Sequence, residues 1–389
     1  MEIAQSLQNV QSSYIREILE AASAPDVISL AGGLPDKTTF PINILRPIFE
    51  SLADNEMVFQ YGNTAGYTPL LNHLKKRYQL PEHHAAVVTT GSQQGLDLLA
   101  RAYINPGDKI AMEAPSYLGA MQVFGLVQAD ILPIPQNAEG PDLQALEICF
   151  REHKPKLFYT VPDFHNPTGV SWSLPTRRKV AELCNSYGVT LVEDAPYREL
   201  RFTDVMLPMS SSFCPDNSIV LRSFSKIASP GLRIGVATGK ASLINPMIKV
   251  KQGADLHSSI PMQALLVGLL TDKDFDSHLV NVRKHYAEKY YQMEKALKAY
   301  LPNSCSFEPA KGGMFVWVSV PECDTFELAS RSLKNKVAVV PSTVFYPKNV
   351  TGKSALRLNF TNSTGEEMQN AIKCLSKVIE DFTAEQTVA

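Results

Sequence analysis

Ser223-Phe-Ser-Lys226-Ile-Ala-Ser-Pro-Gly-Leu-Arg233-Ile-Gly235 puts serines three and one residues before a lysine, and an arginine seven residues after it. Hydroxyls donate single hydrogen bonds and a guanidinium offers a planar fork, so Ser223, Ser225 and Arg233 make a cradle for a phosphate group. A partly desolvated Lys226 beside that cradle would have the neutral amine that attack on a carbonyl requires. These residue types permit one specific chemistry: an imine-forming lysine next to a phosphate grip.

Further segments would complete such a site. Thr89-Thr-Gly-Ser92-Gln93-Gln-Gly-Leu-Asp-Leu98 reads as a strand end, a turn and a helix start. The N–H groups of a helix N-terminus bind phosphate well. Val192-Glu-Asp194-Ala-Pro-Tyr197 follows an apolar run, so Asp194 falls at a strand's C-terminal end, the edge where open α/β sheets bind ligands. A carboxylate there can keep a pyridinium nitrogen protonated, and that charge lets the ring accept electrons from a substrate carbon. In His165-Asn166-Pro-Thr-Gly169, Asn166 is placed to donate to a ring oxygen, as is Tyr197. Tyr117, after Glu113-Ala-Pro-Ser, is placed to stack on a planar ring. Arg357 interrupts the apolar run Leu356-Arg-Leu-Asn-Phe360 and would bind a carboxylate bidentately if it faces a cleft. Each segment has an ordinary reading by itself: a solvated lysine, Ser92 as an N-cap, an Asn-Pro turn, an arginine facing solvent. Jointly they supply what pyridoxal phosphate needs.

The elements that must position these residues are legible too. Apolar runs at 85–89, 109–113, 129–134, 156–161, 189–193, 218–222 and 234–238 predict seven strands. Helical windows at 92–103, 117–127, 142–152 and 176–187 lie between them. This alternation predicts an α/β fold with a mostly parallel seven-stranded sheet and helices on both faces. A long helical window at 275–300 leads into strands at 314–320, 337–340 and 355–360 and helices near 324–335 and 366–382, enough for a smaller α+β domain. A short helix is expected at 13–22. The organisation expected is an arm (1–40), a large cofactor-binding domain (41–270), and a connecting helix with the small domain (271–389).

Composition bounds the function. The 389 residues are 44% hydrophobic and 20% charged, as in a globular chain. Lys plus Arg is 37 and Asp plus Glu 39, a net charge of -2 that provides no field for nucleic acid or an anionic membrane. The longest apolar run, Ala264–Leu270, is far shorter than the roughly 20 residues of a membrane span. No secretory apolar core follows Glu2. The six cysteines form no C-x-x-C clip and read as free thiols in a reducing cytoplasm. The neighbours His83-His84 lack metal-ligand spacing, and no metal is expected.

With these residues in view, the chain resembles the fold-type I, class I/II aminotransferases, which are pyridoxal phosphate-dependent. The likeness spans Ala31-Gly-Gly-Leu-Pro35, Tyr61-Gly-Asn-Thr-Ala-Gly66, Gly91–Asp97, Asn166–Gly169, Glu193–Tyr197, Ser223–Arg233, Lys311–Trp317 and Arg357–Phe360. Gly91-Ser-Gln-Gln-Gly-Leu-Asp97 and Lys251-Gln-Gly-Ala-Asp-Leu-His257 are similar to the branch of 2-aminoadipate and kynurenine aminotransferases and of MocR regulators. The resemblance implies that Lys226 forms the Schiff base, that Asp194 pairs with the pyridinium nitrogen, and that Asn166 and Tyr197 bond the ring oxygen. Tyr117 would stack on the ring. Ser92, Gln93, Ser223, Ser225 and Arg233 would hold the phosphate. Tyr61 would reach the phosphate of the neighbouring subunit, making the site a homodimer property. Arg357 would take the substrate α-carboxylate, with Gly33 and Asn166 lining that pocket. Val340-Pro-Ser342 departs from the usual Val-Pro-Gly, which bears on the loop near Phe345 and on side-chain selectivity.

The expected activity is transfer of an amino group from a 2-amino acid to a 2-oxo acid, 2-oxoglutarate above all, by a ping-pong mechanism. A lyase or decarboxylase on the same scaffold is the alternative, because the electron sink is common to all three. A regulator module is a further one. The sequence begins almost directly in the arm and leaves no room for a helix-turn-helix unit, so DNA binding is not expected.

Overall fold

The structure, a computed structural model, describes residues 2–8, 18, 24, 26–348 and 350–388. The helix expected at 13–22 lies outside these, apart from Ile18, which is helical and buried.

The large sheet has, in spatial order, strands His84–Thr89, Gly235–Lys240, Ser218–Ser223, Thr190–Asp194, Leu157–Thr160, Lys109–Ala114, Asp130–Asn137 and Gly140–Pro141. All seven expected strands are present, their ends shifted by a few residues. The eighth is a two-residue antiparallel addition that a Gly-Pro pair does not announce. Pairings among the five strands from Ser218–Ser223 across to Asp130–Asn137 are parallel. Gly235–Lys240 runs antiparallel to both its neighbours. Its N-terminus therefore meets the C-terminal ends of the others, and Arg233 arrives at the edge where Asp194 and Ser223 already end.

Alternation along the strands sends side chains into two separate cores. Ile110, Met112, Tyr159 and Val192 join Leu96, Leu99, Val123 and Phe124 from helices Ser92–Tyr103 and Leu118–Leu126. Ala111, Phe158 and Leu191 join Leu146, Phe150, Val180 and Cys184 from helices Leu143–His153 and Leu174–Tyr187. Helices thus cover both faces, the α/β architecture that the strand–helix alternation predicts. Among the described residues, no helix is long and apolar enough to cross a membrane. All six cysteines are free thiols, three buried and three half-buried.

The long helix Phe275–Tyr300 packs Tyr286, Tyr290, Met293 and Leu297 inward. Beyond it, strands Ser306–Phe307, Phe315–Ser319, Ala355–Asn359 and Val340–Pro341 form an antiparallel sheet. The single strand expected at 337–340 is two. Val337–Ala338 pairs with Ile28–Ser29 of the arm, while Val340–Pro341 pairs with Ala355–Asn359. A uniformly apolar run has no period to reveal that change of partner. Asp36 fastens the arm: its carboxylate accepts from His285 and Lys289, both at 2.9 Å, and its N–H donates to Tyr286 at 3.0 Å. Burial opposes ionisation there, yet the bonds from Thr38, His285 and Lys289 hold the Asp36 carboxyl below the usual range.

Candidate active site

One cleft of about 180 Å³ opens at the C-terminal edge of the large sheet, lined by Gly91, Ser92, Gln93, Tyr117, Asn166, Asp194, Tyr197, Ser223, Ser225, Lys226 and Arg233. Each lies at or beyond a strand end or, for Arg233, just before a strand start. Arg357 and Gly33 stand behind this lining and are tied to it by hydrogen bonds. Tyr61 is not brought to the cleft; it is 80% exposed, its ring edge-on to His257.

Asp194 closes its strand almost wholly buried. Tyr159 donates to Oδ2 at 3.0 Å, while Oδ1 is buried with no partner. Desolvation pushes this carboxyl up to about 7. A cation placed at Oδ1 would restore the ionised form.

Lys226 donates from Nζ to the Gly33 carbonyl at 2.8 Å. Burial, then the positive charges of Arg357 and Arg233, lower its pKa to about 8. The ordinary surface-lysine alternative is therefore set aside. Asn166 is spanned between two partners: its Oδ1 accepts from Arg357 at 2.8 Å and its Nδ2 donates to the Tyr197 hydroxyl at 3.4 Å.

Arg357 does not face solvent. Its side chain is buried in the small sheet, donating also to the Ala31 carbonyl at 2.6 Å, and lies over the rings of Phe315 and Phe345 at 4.4 and 5.0 Å. Nε has no partner. Burial lowers its pKa to about 10, so it stays cationic at neutral pH. The departure at Ser342 has a structural use: its hydroxyl accepts from the Ala355 N–H at 3.1 Å and pins the loop that carries Phe345.

Gly91 takes φ 78 and caps helix Ser92–Tyr103, so Ser92 is the first helical residue rather than the cap. A side chain at 91 would come within 2.8 Å of the Arg233 guanidinium, and one at 235 within 2.7–2.9 Å of Gly91, Ser92 and Arg222 backbone atoms. The helix N-terminus and the arginine are held as one concave surface by these two glycines. Gln93 differs from expectation in part. Its side-chain amide is occupied, accepting from Tyr117 at 3.2 Å and donating to Gly119 at 3.0 Å. It props the Tyr117 ring.

Sequence reasoning missed Tyr159, which sits inside an apolar strand and gives no sign that its hydroxyl meets Asp194. It also missed Glu113. That buried carboxyl receives bonds from Gln136, Thr160 and Trp172 on the inner side of the strand leading to Tyr117, and burial pushes it up to about 7.

The residues present fit pyridoxal phosphate. A bare buried carboxylate oxygen suits a ring cation, a lysine with a lowered pKa suits an aldehyde, and a glycine-shaped cup with Arg233 suits a phosphate. Fold and site together define a pyridoxal phosphate-dependent α/β enzyme. The model of the family "Aminotransferase class I and II" matches residues 25–375, and the chain belongs to that family. Aromatic-amino-acid aminotransferase 1 of Thermococcus litoralis is 35% identical over 386 residues, covering 96% of this chain and 92% of its own. The 2-aminoadipate transaminase of Thermus thermophilus is 36% identical over 389 residues, covering 96% of each chain. Among solved structures, the alpha-aminoadipate aminotransferase of Thermus thermophilus, complexed with N-(5'-phosphopyridoxyl)-L-leucine, superposes with a TM-score of 0.91 at 34% identity, covering 98% of both chains. The protein is an aminotransferase and its cofactor is pyridoxal phosphate; a lyase is not favoured.

The lowered Lys226 pKa has a direct consequence. The amine is neutral above about pH 8, where an ordinary lysine stays charged up to 10.5. Loading of pyridoxal phosphate onto cofactor-free protein, followed by the absorbance of the bound form, should accelerate with pH up to about 8 and then level off. A rate still climbing steeply through pH 10 would show that Lys226 is not desolvated.

Proposed function

We propose that this chain moves amino groups from medium-sized 2-amino acids to 2-oxoglutarate, with residue roles that follow from the geometry. When bound, pyridoxal phosphate supplies an electrophilic carbon and an electron-accepting ring. Asp194 offers Oδ1 to the ring nitrogen, and its desolvation makes that pairing strong. Asn166 and Tyr197 donate to the ring oxygen. Tyr117, propped by Gln93, covers one face of the ring. The first N–H groups of helix Ser92–Tyr103, that of Gln93 among them, together with the side chains of Ser92, Ser223, Ser225 and Arg233, would grip the phosphate. Arg357 takes the substrate α-carboxylate, with Asn166 and Gly33 orienting it. Lys226 would hold the cofactor through Nζ, and as a free amine Nζ would accept the Cα proton and return it. A positioned base contributes typically about 10²–10⁴-fold.

The observation that carries this reading is an amine of lowered pKa and a bare carboxylate oxygen lining one cleft, with the buried Arg357 joined to that lining through Asn166. The chain divides by role into an arm (1–40), a cofactor-binding part (41–270) and a connecting helix with the smaller part (271–389). Exposure of Met57, Phe59, Tyr61 and Leu256 supports a homodimer in which Tyr61 reaches the partner's phosphate. Six free thiols support a cytoplasmic setting.

Lys226→Ala should lose at least about 10²–10⁴-fold in turnover while retaining cofactor through Asp194 and Arg233; wild-type turnover in that variant would remove the lysine from the mechanism. Mixing Lys226→Ala with Tyr61→Ala chains should restore one site of native cofactor affinity per hybrid dimer. Mixtures no better than their parents would confine each site to one chain. Across a panel of donors assayed with 2-oxoglutarate, aromatic and aminoadipate-like acids should be turned over fastest, because Tyr117, Val161 and Pro196 give the cleft mixed aromatic and aliphatic lining. Activity restricted to alanine or aspartate would refute that preference.

A further inference from the structure

The opposite edge of the large sheet brings together a second set of chemistry-bearing side chains. His84 opens the strand His84–Thr89, Lys240 closes the strand paired with it, and Asp216 lies two residues before Ser218–Ser223. Asp216 Oδ1 lies 2.7 Å from His83 Nε2 and 3.6 Å from His84 Nε2. These three atoms all fall within 4.8 Å of one another. Lys240 Nζ stands 3.7 Å from the other carboxylate oxygen, Oδ2, and leaves Oδ1 facing the imidazoles.

His84 is the anchor. It is 8% exposed, and its Nε2 is buried with no hydrogen-bond partner. A buried ring nitrogen without a partner is costly unless something else occupies it. His83 and Asp216 are about half exposed and free to close around an ion.

We propose that His83, His84 and Asp216 form a binding site for a divalent transition-metal ion of the zinc type. Two imidazoles and one carboxylate match the nitrogen and oxygen preference of Zn²⁺, with water in the fourth position. Tetrahedral ligands about 2.1 Å from Zn²⁺ lie about 3.4 Å apart, so His84 and Asp216 already stand near that spacing while His83 must draw back from the 2.7 Å contact that it makes with Asp216. The proton on His83 Nε2 moves to Nδ1 or to solvent as the metal takes its place. The ion ties segments 133 residues apart in sequence and clamps the outer ends of three strands. The inner ends of those strands lead to Ser92, Lys226 and Arg233. The site is a staple for the sheet and takes no part in turnover.

Chelator-stripped holoenzyme titrated with Zn²⁺ by calorimetry should bind one ion per chain and rise in melting temperature, with kcat unchanged. Asp216→Asn and His83→Ala alter exposed side chains and should fold normally; each should weaken binding about tenfold or more and lose the thermal shift. His84→Ala should do the same. Mg²⁺, a harder ion that prefers oxygen ligands, should not bind there. Absence of Zn²⁺ binding to the stripped holoenzyme, wild-type affinity in the Asp216 and His83 variants, or Zn²⁺ that stops turnover equally in wild type and variants would each overturn the assignment.

Discussion

Water's exclusion from the C-terminal edge of one sheet governs the site. Asp194 is buried with a single bond from Tyr159, and its second oxygen is left bare. Stripped of solvent, a carboxylate becomes a poor anion until a cation is supplied. Close by, the same exclusion makes Lys226 a poor cation, and the charges of Arg357 and Arg233 reinforce it. Opposite shifts in two neighbouring groups therefore have one physical origin. The site is poised for a guest that brings a positive ring nitrogen, an aldehyde and a negative phosphate.

The small sheet and the arm complete that exclusion. Arg357 reaches the cleft lining from a strand more than a hundred residues after Lys226, and Asn166 joins it to Tyr197. Gly33 reaches Lys226 from the arm, which is anchored by Asp36 on the long helix and by Ile28–Ser29 pairing with Val337–Ala338. The side chains of Lys226, Asn166 and Arg357 thus meet at one strand edge only because three parts of the chain converge there. The glycines at 91 and 235 let Arg233 and the start of helix Ser92–Tyr103 approach closely, because a side chain at 91 would collide with the guanidinium and one at 235 with the backbone of Gly91, Ser92 and Arg222.

Much of this is legible in the sequence. Strand–helix alternation places all seven principal strands, since buried parallel strands are short apolar runs bounded by turns. Ser223, Lys226 and Arg233 lie within eleven consecutive residues between two strands, so the sequence alone shows that they come together. The pattern says less where one residue type serves two settings. Val337–Val340 reads as one strand because an apolar run does not say which neighbour it will pair with. Gln93 reads as a phosphate ligand, yet its amide is spent on Tyr117 and Gly119.

The amino-acid order by itself determined which chemical groups are available, which strand ends carry them, and the family they signify, because these are local patterns of a few residues. Only the tertiary structure decided how each group behaves. The pairing of Tyr159 with Asp194, the burial of Arg357 between two aromatic rings, and the meeting of His83 and His84 with the distant Asp216 are long-range contacts. Desolvation is a property of everything packed around an atom, and no stretch of sequence contains its own surroundings.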